Sequence, residues 1–431
     1  MRVRQLDPVE PVRLYSVLRE EEYPFILESA DRHSRRARYS YISANPDFVV
    51  EVGERGTVVD GTRVSKERDP FRALKSFSLS ASGRRFSGGF VGYISYDSVL
   101  QHIGERVEKG SVFGHYSSFF AFDHLENRLY FFADSDEELK WAERAVRRAK
   151  RAEIESEDGT SEIAGQDSGM EEFVEDVLRA KEHIFAGDVF QVVISREYVV
   201  DTDLSPFQAY LNLRRLNPSP YMFCLEFDVA LAGSSPETLA SVENGYLKVN
   251  PIAGTARRGK SEKEDDEIVM KLLEDEKERA EHVMLVDLAR NDVRKVCRAG
   301  SVEVVRFMEV LKYSHVMHIE SEVRGRLKEG CDVFDAISAC FPAGTLTGAP
   351  KIRAIEIIDG IERSRRGVYG GAVGYFSHEA DFAIAIRMAE FGKKVRVRAG
   401  AGIVADSVPE REFFETERKM EAVLRALGVE R

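Results

Sequence analysis

Residues 151–169 are polar, acidic and almost free of large apolar side chains, in a chain of which 43% of residues are hydrophobic. Such a stretch cannot bury enough apolar surface to offset the entropy of ordering it, so it reads as a linker. It divides the chain into a region 1–150 and a region 170–431. A total of 431 residues, at about 100–200 residues per domain, fits two or three such units.

Both regions mix strands and helices. Runs of β-branched and aromatic residues predict strands at Val49–Val52, Phe90–Ile94, Leu129–Phe132, Phe190–Ser195, Ala230–Gly233 and Lys394–Val397. Helical spacing predicts helices at Asp136–Arg151, Met170–Ala186, Asp275–Val296, Lys351–Asp359 and Pro409–Leu427. The two kinds of element do not alternate in a βαβ rhythm. The expected class is therefore α+β with largely antiparallel sheets. One internal echo stands out: Gly88-Gly-Phe-Val-Gly-Tyr93 resembles Gly370-Gly-Ala-Val-Gly-Tyr375. It reads either as related sheet halves or as two glycine turns feeding two strands.

Several function classes are set aside. No apolar run reaches the length of a membrane-spanning helix, and Met1–Pro8 lacks the apolar stretch of a signal peptide. The expected location is the cytoplasm. A net charge of −12, with no basic run interleaved with aromatics, argues against nucleic acid. Cys224, Cys297, Cys331 and Cys340 form no CxxC pair and read as buried reduced thiols.

Three segments carry the chemistry. Phe341–Lys351 is a glycine- and threonine-rich loop running into Pro350, suited to a helix's first turn, so its amides can face an anion. It is not a Walker loop, because Gly348 is followed by Ala-Pro, and it reads equally as a turn before a helix. Ala399-Gly-Ala-Gly402 follows a strand and would let amides approach a carboxylate. The third feature is acidic helix faces. Glu278 and Glu281 lie one turn apart, and Glu412, Glu415 and Lys419 share a face behind an apparent capping box, Ser407 to Glu410. Carboxylates from two helices can meet on a hard cation. Alone, each stripe reads as a solvated helix face.

Seven motifs in register add to this reading: Asn217-Pro-Ser-Pro-Tyr-Met-Phe223, Gly233-Ser-Ser-Pro-Glu-Thr238, Pro251-Ile-Ala-Gly-Thr255, the run Glu281–Asp292, Gly344-Thr-Leu-Thr-Gly-Ala-Pro-Lys351, Tyr369–Tyr375 and Ala399–Gly402. Together they resemble the chorismate-utilising enzyme family, and within it the anthranilate-forming branch. The match is dense from about residue 170 onward and reaches the N-terminal region through Leu27-Glu28-Ser29-Ala30 and Gly88–Asp97.

The resemblance implies a sandwich of sheets flanked by helices. It implies Mg²⁺ on Glu281 and Glu415, and chorismate contacted by Gly254, Thr255, Tyr369, Arg387, Gly400, Ala401, Gly402 and Lys419. Glu237 matches the general acid for the hydroxyl leaving ring carbon 4. Thr345 also falls at a substrate-contacting position and is counted with the catalytic residues. His318 matches a histidine of the pyruvate-elimination step. Ser29, with Pro220, Tyr221 and Met222, resembles two halves of a feedback site for L-tryptophan. No cysteine lies in a Gly-x-Cys-x-Gly elbow, so a separate glutamine amidotransferase subunit is implied, in a complex expected to be a heterotetramer. The implied reaction joins ammonia to chorismate and releases anthranilate and pyruvate.

Rivals differ at single positions. Isochorismate and salicylate synthases carry a water-activating lysine where this chain has Gln191. Aminodeoxychorismate synthase component I carries a nucleophilic lysine where it has Ala253. A non-catalytic sensor of chorismate or tryptophan would not need Glu237, Glu281 and Glu415 together.

Overall fold

The computed structural model describes residues 2–29, 38–77, 86–108, 110–154, 159–312 and 316–429. Ala30 of the N-terminal motif, residues 155–158 of the polar segment and the side chain of Thr255 lie outside the described residues.

The expected helices form within two residues of their expected ends, as Asp136–Ala149, Met170–Phe185, Glu276–Val296, Lys351–Ile361 and Pro409–Ala426. The first illustrates why. Ser135 Oγ accepts from Glu138 N, and Glu138 Oε2 accepts from Ser135 N, which satisfies two amides of the opening turn. Leu139, Ala142, Ala145, Val146 and Ala149 then fall on one buried stripe. The capping box expected at Ser407 does not form. Proline favours the first helical position, so the helix starts at Pro409, one residue too late for that pairing. Ser407 Oγ instead accepts from Val404 N at 3.1 Å.

Two large sheets form, and every described ladder within them is antiparallel. One runs in the order Arg2–Leu6, Arg128–Ala133, Phe119–Asp123, Tyr39–Ser43, Phe25–Glu28, Tyr221–Leu225, Ala230–Ser235, Met388–Phe391, Val395–Ile403, Gln191–Thr202, Ser161–Gln166. The other centres on Thr238–Glu243, Ala380–Ile384, Ala372–Phe376 and Gly89–Ile94.

The sheets face each other as a sandwich, and the period of two along a strand decides what meets what. Phe223 and Leu225 point into the core between the sheets, where they meet Val91, Tyr93 and Val373. Met222 and Cys224, the alternate residues, point outward to the helices Pro206–Leu216 and Pro409–Ala426. The second sheet's outer face is covered by Glu276–Val296 and Val333–Cys340.

Strands from before residue 150 and after residue 170 are interleaved in both sheets. The polar segment 151–169 contributes a strand of its own, Ser161–Gln166, paired to Gln191–Thr202. The two echo segments pair with each other, with Gly92 opposite Gly374 and Tyr93 opposite Val373.

Candidate active site

Glu237 follows the strand Ala230–Ser235 and precedes Thr238–Glu243, where the chain passes from one sheet to the other. Burial of its carboxyl pushes the pKa up to about 7, against the pull of Thr345, Lys419 and Arg387. Thr345 Oγ1 donates to Glu237 Oε1 at 2.9 Å. Thr345 sits in the short turn Gly344–Leu346, which is clamped from behind. The buried Arg366 guanidinium donates to Leu346 O at 2.6 Å and to Val193 O at 2.9 Å. The rest of the loop is strand: Gly348 and Ala349 pair with Val192 and Gln191. Pro350 occupies the N-cap, one place before the first turn.

Arg387 lies next to this acid. Its backbone φ is 52°, a left-handed value uncommon for a residue with a side chain. The strained turn is held because Arg387 O accepts from Ser234 N at 3.1 Å. Burial lowers the Arg387 pKa, with Tyr369, Glu237 and Glu415 acting against that shift. The guanidinium donates to no protein acceptor among the described residues. An enclosed guanidinium of this kind suits an anionic ligand. Tyr369 is buried beside it, its ring 5.9 Å from the Arg366 guanidinium carbon.

Gly400, Ala401 and Gly402 lie inside the strand Val395–Ile403 rather than after one. Its neighbour Met388–Phe391 stops pairing at Val397, so one edge of Gly400–Gly402 carries no strand partner among the described residues. Gly402 lets Gln191 approach, since a Cβ there would lie 2.6 Å from Gln191 Nε2 and would turn that side chain aside. Lys419 Nζ donates to Gly400 O at 2.9 Å and pairs with Glu415 Oε1 at 2.6 Å.

On the far side, Gly254 holds φ at 61° at a break in the register between Ala253 and Thr255. A Cβ at Gly254 would lie 3.2 Å from Glu278 Oε2. His318 Nδ1 is 3.1 Å from Gly254 O. A carbonyl only accepts, so Nδ1 carries the proton and Nε2 keeps a lone pair. Burial, aided by Arg387 and opposed by the Gly254 bond, lowers the His318 pKa and so favours the neutral ring. Glu281 lies one turn beyond Glu278 on the helix Glu276–Val296, which packs on the strand Ile252–Arg257. Among the described residues no group of three or more His, Cys, Asp or Glu gathers to hold a metal.

Ser29, Pro220, Tyr221 and Met222 line one cavity between the sheets, together with Tyr39, Tyr41, Tyr375 and Asp381. Ser29 Oγ is buried with no hydrogen-bond partner among the described residues. Glu28 is taken up elsewhere: Arg214 grips both its oxygens at 2.8 and 2.9 Å, and Tyr210 donates at 2.7 Å. Asp381 and the tyrosines escaped the sequence reading. They come from separate strands, and only the alternation in Tyr39-Ser-Tyr41 hints at a shared face.

A two-sheet α+β sandwich with a carboxyl of raised pKa beside an enclosed arginine and a lysine defines an enzyme-like site for a small anionic ligand. Residues 23–425 match the family described as chorismate binding enzyme, and the chain belongs to it. A relative in Thermococcus kodakarensis named anthranilate synthase component 1 is 62% identical over 433 residues, covering 100% of both chains. One of the same name in Archaeoglobus fulgidus is 60% identical over 98% of each. The crystal structure of anthranilate synthase component I from Streptococcus pneumoniae aligns with TM-score 0.80 at 35% identity, covering 91% of this chain and 93% of that one. The menaquinone-specific isochorismate synthase of Escherichia coli shares the fold, with TM-score 0.76 at 19% identity over 99% and 94% of the two chains. Among the described residues no helix is long and apolar enough to cross a membrane.

Proposed function

We propose that this chain is the chorismate-converting component of an anthranilate synthase, the first step of tryptophan synthesis. Ammonia adds at ring carbon 2 of chorismate and the carbon 4 hydroxyl leaves as water. Loss of pyruvate then gives anthranilate. The observation that carries this reading is Glu237, an acid raised to about 7 and set beside Arg387, Lys419 and Thr345. An acid of that strength keeps a large protonated fraction, about half, at neutral pH and can give its proton to the departing hydroxyl.

Arg387 offers a two-pronged donor to the enolpyruvyl carboxylate. His318, with Nε2 unprotonated, is suited to take the ring proton as pyruvate leaves. Gln191 and Ala253 supply neither base nor amine at carbon 2, which leaves that carbon to ammonia.

Glu281 and Glu415 would hold Mg²⁺, which when bound supplies positive charge for the ring carboxylate. The residues fit such an ion. Glu415 is countered by a flexible lysine at 2.6 Å, and two carboxylates leave room for the water and substrate oxygens that Mg²⁺ keeps.

Ammonia would come from a glutamine amidotransferase subunit. Three of the four cysteines support this, since burial pushes Cys297 up to about 11 and Cys224 and Cys340 well above the usual thiol value, and the half-buried Cys331 lies outside any nucleophile elbow. The cavity at Ser29 and Tyr221 would take L-tryptophan as a feedback inhibitor, its apolar walls and few polar groups suiting an indole amino acid. The setting would be the cytoplasm. Chromatography of the products from chorismate, excess ammonium and Mg²⁺ tests the reading. Anthranilate and pyruvate are expected, and 4-amino-4-deoxychorismate or isochorismate as the main product would overturn it.

A further inference from the structure

The Tyr221 hydroxyl lies 2.9 Å from Asp381 Oδ1 and 2.9 Å from Thr238 Oγ1. A phenol has one proton, and a carboxylate only accepts. Tyr221 therefore donates to Asp381, and the Thr238 hydroxyl must be the donor in the other bond. The chain runs in one direction, from Thr238 through Tyr221 to Asp381, and the carboxylate polarises both bonds.

Its two ends serve different places. Tyr221 and Asp381 line the cavity between the sheets, whereas Thr238 does not. Thr238 is buried and is joined by one peptide bond to Glu237. It lines a second cavity together with Glu237 and Thr345.

The backbone at Glu237 is poorly fixed by regular pairing. Thr238 stands opposite Ala383, but the next paired residue is Ala240, opposite Phe382. The extra residue bends the strand and re-aims the side chains around it. Glu237 O accepts from Ile384 N at 3.0 Å and, more weakly, from Ser235 Oγ at 3.4 Å, and Glu237 N donates to Ser235 Oγ at 3.4 Å. The side-chain bond of Thr238 is a further restraint on the direction in which the acid points.

We propose that Tyr221 and Thr238 are positioning residues that aim Glu237, and that an occupant of the cavity which engages Tyr221 or Asp381 loosens that aim. The proposal rests on Glu237 acting as the acid of the proposed reaction.

The test is steady-state kinetics on the full chain with chorismate, ammonium and Mg²⁺. Tyr221→Phe keeps the ring and should lower kcat about five- to tenfold, with KM for chorismate changed by less than about twofold. Thr238→Val should do the same. Because both remove the Tyr221–Thr238 bond, and Tyr221→Phe removes the bond to Asp381 as well, the double variant should fall no further than Tyr221→Phe alone. Thr238→Ser, which restores the hydroxyl, should recover most of the loss. A residue that merely packs would give additive losses and no recovery with serine.

The cavity is probed with L-tryptophan. Thr238→Val lies outside the lining, so calorimetry should show wild-type binding while inhibition weakens several-fold. Unchanged kcat in Tyr221→Phe, additive losses, or full inhibition of Thr238→Val would each overturn the proposal. A wild type that forms no anthranilate overturns the proposed function with it. Normal turnover with an inert Tyr221→Phe overturns the positioning role alone.

Discussion

Thr345→Val should move the alkaline limb of the kcat–pH profile upward by about one unit. Valine keeps the shape of the side chain and removes the hydroxyl that donates to Glu237 Oε1 at 2.9 Å. Burial has raised the acid to about 7, and the Thr345 bond is the first of the influences pulling it back down. A hydrogen bond to a charged group contributes about 1.5–3 kcal/mol, and 1.36 kcal/mol corresponds to about one pKa unit. The neutral acid also accepts from that hydroxyl, so the difference between the two protonation states is smaller, roughly one unit. The sign follows from which form loses the donor. The ionised carboxylate is hurt more, so the proton is kept to higher pH. A general acid acts only while protonated, so activity should persist further into the alkaline range. The assay is kcat at saturating chorismate across mildly acidic to mildly alkaline pH. Free ammonia, not total ammonium, is held constant, because ammonium titrates in part of this range. Thr345→Ser should restore the wild-type limb. A limb that stays in place or moves down in Thr345→Val would mean that Glu237 is not the group being read.

Glu415→Gln and Glu281→Gln should each remove most Mg²⁺-dependent turnover while circular dichroism and melting temperature stay near wild type; full activity of either at ordinary Mg²⁺ would refute the shared site. The purified chain should form anthranilate with ammonium and not with glutamine until an amidotransferase subunit is added, because the described cysteines are buried or outside any nucleophile elbow. Ser29→Phe should fill part of the cavity it lines and weaken L-tryptophan inhibition at least tenfold with little change in kcat; unchanged inhibition would move the effector elsewhere.

The helices were legible because one face must be apolar at a period of 3.6, as Leu139, Ala142 and Val146 display. Strand pairing was not, since antiparallel ladders leave no mark in sequence of which distant strand lies alongside. The strand Ser161–Gln166 shows the limit clearly. Its residues alternate between half-buried and exposed, and it joins the sheet edge by backbone pairing and by polar side-chain bonds, Ser161 Oγ to Thr202 Oγ1 at 2.7 Å and Arg196 to Gln166 Oε1 at 3.1 Å, so its polar side chains looked like a linker. At the site, Glu237 and Arg387 are single residues after strand-like runs, and resemblance rather than pattern singled them out. What marks them physically, an acid pushed up by burial and an arginine at φ 52°, exists only once the sheets close. Arg366, which no sequence feature singled out, is buried and clamps the loop carrying Thr345.

The pairing of Gly89–Ile94 with Ala372–Phe376 bears on how the protein is made. On a ribosome the first strand emerges long before its neighbour exists, and Phe25–Glu28 likewise waits for Tyr221–Leu225. Until then Phe90, Val91 and Phe25 are uncovered beside open strand edges. Neither sheet can be completed until nearly the whole chain has been synthesised. The hazard of misassociation therefore falls on the nascent chain, and the finished molecule, its central edges paired and its apolar faces covered, is largely free of it.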